Sequence, residues 1–209
     1  SIDDTWKPVW GQQTEIRDHA EEIAIRLEET DTTRRRLDLV FRAYDDGVAF
    51  QYIIPEQPNL TDFEVTDEVT GFHFTADAQA WWCEDLPDTY ERDYQETRLS
   101  EAATQGMQTP ATFRTRRGTY VSLHEADLTD SPEIKHQSPD PAASLSLKAE
   151  LVPWFGSDVK VRGRAPMRSP WRTIQLADRP GGLVESSLIL NLNDPCAIED
   201  TSWIRQSKF

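Results

Sequence analysis

The stretch RLDLVFRAYDDGVAFQYIIP, residues 36–55, decides the fold. Leu37, Leu39 and Phe41 recur at every second position, a second apolar run follows, and Asp46-Gly47 lies between the two. A period of two belongs to a strand, because successive side chains point to opposite faces. An Asp-Gly pair between two such runs marks a β-hairpin, in which the glycine is expected to supply the positive φ of a tight primed turn.

The same period extends outward from this hairpin. Ile23, Ile25 and Leu27 alternate with Glu and Arg, and further strands are expected over 63–66, 71–75 and 80–83. A second hairpin runs over 111–116, turns at Arg117-Gly118, and continues from Thr119 with Val121 and Leu123 between Tyr120, Ser122 and His124. More strands are expected over 144–152, 158–162 and 171–176. Residues 1–18, holding Trp6 and Trp10, read as a loop pinned by aromatic anchors; 85–108 reads as a polar excursion with at most one helical turn, and the proline-rich 131–142 as a loop. Only 183–192 has helical spacing. Short strands separated by turn residues indicate a mainly all-β protein, an antiparallel β-sandwich with one short helix.

Composition bounds the function. Thirty-seven acidic side chains against 22 basic ones give a formal charge of −15, which repels a polyanion and argues against nucleic-acid binding. Seven Trp, eight Phe and five Tyr suffice to fill a core. No apolar run approaches the roughly 18 residues of a membrane helix. Two cysteines, Cys83 and Cys196, are too few and too far apart for a metal site or a disulfide framework, and two buried thiols are expected. Ser1 is not followed by a charged and then apolar leader, so this end does not report the compartment.

The segments TWKPVWGQ, EIRDH, RAYDDGVAFQYIIPEQ, AWWCEDLPDTYERDY and YVSLHEADL occur in this order, and residues 169–204 read SPWRTIQLADRPGGLVESSLILNLNDPCAIEDTSWI. Together they resemble the N-terminal domain of glycoside hydrolase family 97, from about Asp4 to the C-terminus. The resemblance implies a sandwich like that of galactose mutarotases over 1–194, with earlier strands missing, and over 195–209 the start of a linker toward a (β/α)8 barrel. In that family the barrel carries the catalytic carboxylates, the substrates are α-linked glucosides or galactosides, a calcium ion sits at the active site, and the enzymes are periplasmic or secreted. By that resemblance this chain is non-catalytic alone, and its partners are the barrel of the same protein and, in the whole enzyme, an α-linked oligosaccharide. Missing strands would leave a sheet edge open to self-association into a homo-oligomer.

Glycoside hydrolysis needs two opposed carboxyl groups, but 20 Asp and 17 Glu make any pair uninformative. His124-Glu125-Ala126, at the end of the second hairpin, carries more weight. Calcium takes hard oxygen ligands, and the resemblance implies that Glu125 is the one carboxylate this domain sends to the ion. Read from the residues alone, Glu125 is a solvent-facing strand glutamate rather than a ligand, and His124 points to the opposite face as a structural histidine. Of Trp81-Trp82, at most one could stack on a sugar while the other fills the core. Tyr90 and Glu91 read as loop anchors. Trp171, Arg172 and Glu185 read as a strand leading through a Gly181-Gly182 turn into a helix, and Glu199 and Asp200 as linker charges. The competing functions are a stand-alone carbohydrate-binding module and a purely structural domain.

An acidic surface with 17 Arg but only five Lys suits concentrated salt, which screens its self-repulsion. Raising NaCl from millimolar to molar should therefore increase the unfolding temperature, as followed by tryptophan fluorescence. A flat or falling curve contradicts a salt-adapted surface.

Overall fold

The computed structural model describes residues 1–86, 91–102, 106–138 and 145–205. Its first half contains β1 (Ile2–Trp6), β2 (Ile16–Glu28), β3 (Arg36–Tyr44), β4 (Gly47–Ile54), β5 (Asp62–Val65), β6 (Gly71–His73), β7 (Gln79–Trp82), β8 (Gln95–Arg98) and the short helix α1 (Leu99–Ala102). The second half contains β9 (Ala111–Arg114), β10 (Tyr120–Ala126), β11 (Ile134–Gln137), β12 (Ser146–Leu151), β13 (Val161–Arg164), β14 (Met167–Arg168), β15 (Trp171–Ala177), α2 (Pro180–Glu185) and α3 (Leu188–Asn191).

Among the described residues all strand pairs are antiparallel. The large sheet runs β1-β2-β3-β4-β15-β10-β9-β7-β8, with β14 also on β4; two small sheets, β11-β12-β6 and β13-β5, make the facing layer. Phe72 and Leu147 of the small layer meet Phe113, Val121, Leu123 and Trp82 of the large sheet in one apolar cluster. Ile134, Ala149, Leu151 and Val161 form a second cluster within the small layer. On the opposite face of the large sheet, Leu188 and Leu192 cover Ala49, Ala126 and Trp171. The chain is thus a β-sandwich with short helices on one outer face. Toward β2 the small layer stops short, leaving Ile23 60% exposed beside Ile25, Leu27 and Phe41.

Several sequence expectations need correction. Residues 1–18 are not all loop, because Ile2–Trp6 pairs with Ile16–Ala20 through five matched positions, and the Asp3–Arg17 ion pair crosses the ladder diagonally. Trp6 anchors through its indole N–H, which donates to Asn191 Oδ1 at 2.9 Å, whereas Trp10 is exposed. Within the proline-rich segment, Ile134–Gln137 forms a strand on β12. The helical stretch is two helices, since Ser186 Oγ accepts the Leu188 N–H and the Gln175 amide between them. Cys83 is buried as expected; Cys196 is exposed, because it follows the last packed helix.

The β3–β4 hairpin stands, with Tyr44 opposite Gly47 across Asp45-Asp46. Its glycine is required for a different reason from the primed turn expected. A Cβ on Gly47 would run into the Ile174 carbonyl oxygen and lie 2.8 Å from Leu188 Cδ1, in a backbone conformation of φ +156°. Crowding of β15 and α3 against this point therefore excludes any side chain. Gly47→Ala should destabilise the fold by about 1–3 kcal/mol, the usual range for overpacking, lowering the denaturant midpoint. An unchanged midpoint would show that the hairpin end can move away.

Candidate functional site: a buried guanidinium between two carboxylates

Strand pairing builds the site. In the β10–β15 ladder Glu125 lies opposite Arg172, so both side chains leave the sheet on the same face, toward the small layer. Arg172 Nη1 donates to Glu125 Oε2 at 2.8 Å, while Nε and Nη2 donate to Glu68 Oε1 and Oε2 at 2.9 and 2.6 Å. The Ile134 N–H of β11 donates to Glu125 Oε1 at 3.1 Å. Thr70 Oγ1 donates to Glu68 Oε1 and is itself bonded to the Tyr52 hydroxyl at 2.7 Å. The Arg172 and Glu125 side chains are 1% and 2% exposed.

Glu125 is therefore neither solvent-facing nor free. Charge arithmetic makes it the unusual member: one guanidinium faces two carboxylates away from water. Glu68 holds the bidentate fork, the stronger geometry, and Glu125 takes the remaining nitrogen. Burial pushes the Glu125 carboxyl up to about 7, against the pull of Arg172 and the Ile134 N–H, and Glu133 and Glu68 add repulsion. The trio is balanced when Glu125 is neutral and carries one excess negative charge when it ionises.

The small layer contributes His136, fully buried with neither ring nitrogen partnered among the described residues, its ring edge-on to Phe72. Desolvation lowers its pKa to about 3, with Arg172 and His124 acting in the same direction, so it is neutral. His124 lies on the other face of β10, opposite Thr173, and burial lowers its pKa too.

Other sequence candidates lie elsewhere. Trp82 is fully buried and donates to Thr97 Oγ1, whereas Trp81 is half-buried and stacks on Tyr120. Trp171 is buried with the Arg42 guanidinium 4.8 Å from its ring centroid. Glu185 pairs with Arg179 on the surface; Glu91, Glu199 and Asp200 are exposed, and Tyr90 lies outside the described residues. Sequence reading missed Glu68, indistinguishable among so many acidic neighbours, and His136, whose alternation with Ile134 was hidden among prolines.

Among the described residues no three His, Cys, Asp or Glu side chains are grouped to hold a metal. Calcium takes about six to eight oxygens, whereas among the described residues Glu125 engages a guanidinium and a backbone N–H. Releasing it would cost one nitrogen contact and one N–H, leaving the Arg172–Glu68 fork intact.

The raised pKa fixes a sign. Between the ordinary carboxyl value of 4.5 and about 7 the folded chain holds a proton on Glu125 that the unfolded chain has lost. Stability from this group is thus fullest below about 4.5 and declines as pH rises to about 7. Glu125→Gln keeps the shape and removes the titration. Relative to that variant, the original chain should lose on the order of 1–3 kcal/mol across this window in denaturant unfolding. A pH-independent difference would place the Glu125 pKa near its ordinary value.

Comparison with known proteins matches this architecture to a family. The model for "Glycosyl-hydrolase 97 N-terminal" matches residues 1–195. A glycoside hydrolase family 97 enzyme from Pseudoalteromonas sp. strain K8, solved as a single-substitution variant, superposes with a TM-score of 0.90 at 33% identity, over 98% of this chain and 30% of that one. A protein of Streptomyces bingchenggensis named "Probable retaining alpha-galactosidase" is 30% identical over 177 residues, 81% of this chain and 25% of that protein. The retaining alpha-galactosidase of Bacteroides thetaiotaomicron is 21% identical over all of this chain and 34% of its own length. The chain thus spans a quarter to a third of these relatives, and it belongs to the glycosyl-hydrolase 97 N-terminal family.

Proposed function

We propose that this chain is the non-catalytic N-terminal domain of an α-glycosidase, acting on α-galactosides or α-glucosides, that packs on the catalytic domain of the same protein and lends it the carboxylate of Glu125 for a calcium ion. The observation that carries the reading is the excess buried charge. A domain selected for stability alone would keep the Arg172–Glu68 fork and place an uncharged group at 125, since the second carboxylate raises the cost of burial. A group retained at such a cost is a mark of function. A divalent cation supplied with other carboxylates from the catalytic domain would favour ionised Glu125, and the fork would keep Arg172 satisfied after Glu125 turned away. The named activities of the two alpha-galactosidase relatives support the substrate class.

Calcium, when bound, would supply a fixed positive charge beside the reacting sugar. This chain's part is to hold Glu125 at the end of β10 and to keep water from its Arg172 side. In the full-length protein, Glu125→Gln should weaken calcium binding at least about tenfold and lower activity in parallel at limiting calcium, because a ligand charge is lost. Thermal stability without calcium should be unchanged or higher. Calcium affinity equal to that of the unmodified protein would return Glu125 to a purely internal role.

A further inference from the structure

On the outer face of the large sheet, α2 and α3 pack chiefly against β15 and β10 among the described residues. The same face continues over β9, β7 and β8, and there the strand registers gather one group of side chains. Tyr120 lies opposite Arg114, and Arg114 opposite Gln79; in the next row Thr112 lies opposite Trp81, and Trp81 opposite Glu96. Their sequence neighbours Val121, Phe113, Ala80 and Trp82 fill the core. Alternation along each strand therefore turns these residues outward together. Arg114 and Glu96 are exposed, whereas Trp81, Tyr120, Thr112 and Gln79 are part-exposed.

The aromatic pair is held in place. The Trp81 and Tyr120 rings are 22° from parallel with centroids 6.2 Å apart, and the Arg114 guanidinium lies 5.7 Å from the Tyr120 centroid. Near-parallel rings at that separation are offset, the arrangement aromatic pairs favour, so neither fully covers the other. The Gln79 amide donates to the Thr97 carbonyl at 3.0 Å, which fixes that side chain beside them. Among the described residues Arg114 and Glu96 make no ion pair, whereas Arg98, at the edge of the face, already lies 3.6 Å from Asp77. The patch is separate from the buried trio: five residues of β10, about 17 Å of strand, lie between Tyr120 and Glu125, which leave opposite faces of the sheet.

We infer that this outer face of β10, β9, β7 and β8, with Trp81 and Tyr120 at its centre, binds a neutral saccharide chain. A sugar ring offers C–H bonds to an aromatic plane and hydroxyls at its rim, and rigid Trp and Tyr side chains supply such a plane at little entropic cost. The polar groups choose the ligand. Arg114 donates and Glu96 accepts, with Gln79 and Thr112 beside the rings, and the two unpaired charges cancel. Hydroxyls, which both donate and accept, match that set. An anionic ligand would meet Glu96 and a chain of −15, and a second copy would set −15 against −15. An apolar protein surface would strip water from Arg114 and Glu96 without replacing it. From β10 to β8 the face spans three strand spacings, about 14 Å, which suits an extended chain better than a single sugar.

The test is affinity electrophoresis of the full-length protein through native gels holding soluble starch, guar galactomannan or, as an acidic control, polygalacturonate. Thermal unfolding is measured on the same samples. The unmodified protein should be retarded by at least one of the neutral polysaccharides and not by polygalacturonate. Trp81→Ala should weaken that binding at least about tenfold and Arg114→Ala at least about threefold, since an aromatic anchor carries more of such an interface than a charge at its rim. Arg114 is exposed and touches only Tyr120, so Arg114→Ala should keep the original unfolding temperature and reads the site even if Trp81→Ala disturbs the fold. Retardation equal in the unmodified protein and both variants places saccharide binding elsewhere and overturns the inference. So does the absence of retardation by either neutral polysaccharide, or stronger retardation by polygalacturonate, which assigns the face to an anion. The inference uses no residue of the Arg172 cluster, so it stands or falls independently of any role for Glu125.

Discussion

The Arg172 guanidinium is the constraint on which the arrangement turns. It rises from a central strand of the large sheet and is gripped by Glu68, which lies in the connection between β5 and β6 of the facing layer. Glu125, on the neighbouring strand, takes its third contact and in turn accepts the backbone N–H of β11. One side chain therefore ties both layers together at the point where their apolar clusters leave a polar gap. A buried charge of this kind stabilises only if its partners are complete, which makes the local geometry unforgiving.

That geometry also separates two jobs usually merged in one salt bridge. The planar fork with Glu68 satisfies most of the guanidinium and anchors the layers. Glu125 is in excess: burial pushes it to about 7 while the fork already balances the positive charge. It lies near the C-terminal end of β10, one residue before the strand gives way to a loop.

How much of this was legible in the sequence depended on distance along the chain. The β3–β4 and β9–β10 hairpins were readable because period two and a turn residue are local signals. Glu125 stood out through its motif, but its burial did not, because the partners Arg172 and Glu68 are 47 and 104 residues from their mates and no local pattern couples them. Ile2–Trp6 was missed because an acidic segment has weak strand preference and is ordered by its pairing with β2. Ile134–Gln137 was masked by neighbouring prolines, and the break in the late helix by a Ser186 hydroxyl whose competing hydrogen bond is visible only in three dimensions. Gly47 was recognised as necessary, yet its reason, the close approach of β15 and α3, is tertiary.

The most direct measurement is a pair of double-mutant cycles at pH 7, with Arg172→Met combined with Glu68→Gln in one and with Glu125→Gln in the other, read by denaturant unfolding. The account predicts a coupling of about 2–3 kcal/mol between Arg172 and Glu68 and a clearly smaller one between Arg172 and Glu125, because the fork anchors and the third contact is expendable. A coupling to Glu125 equal to or larger than that to Glu68 would contradict it, making Glu125 part of the anchor and unavailable to an ion.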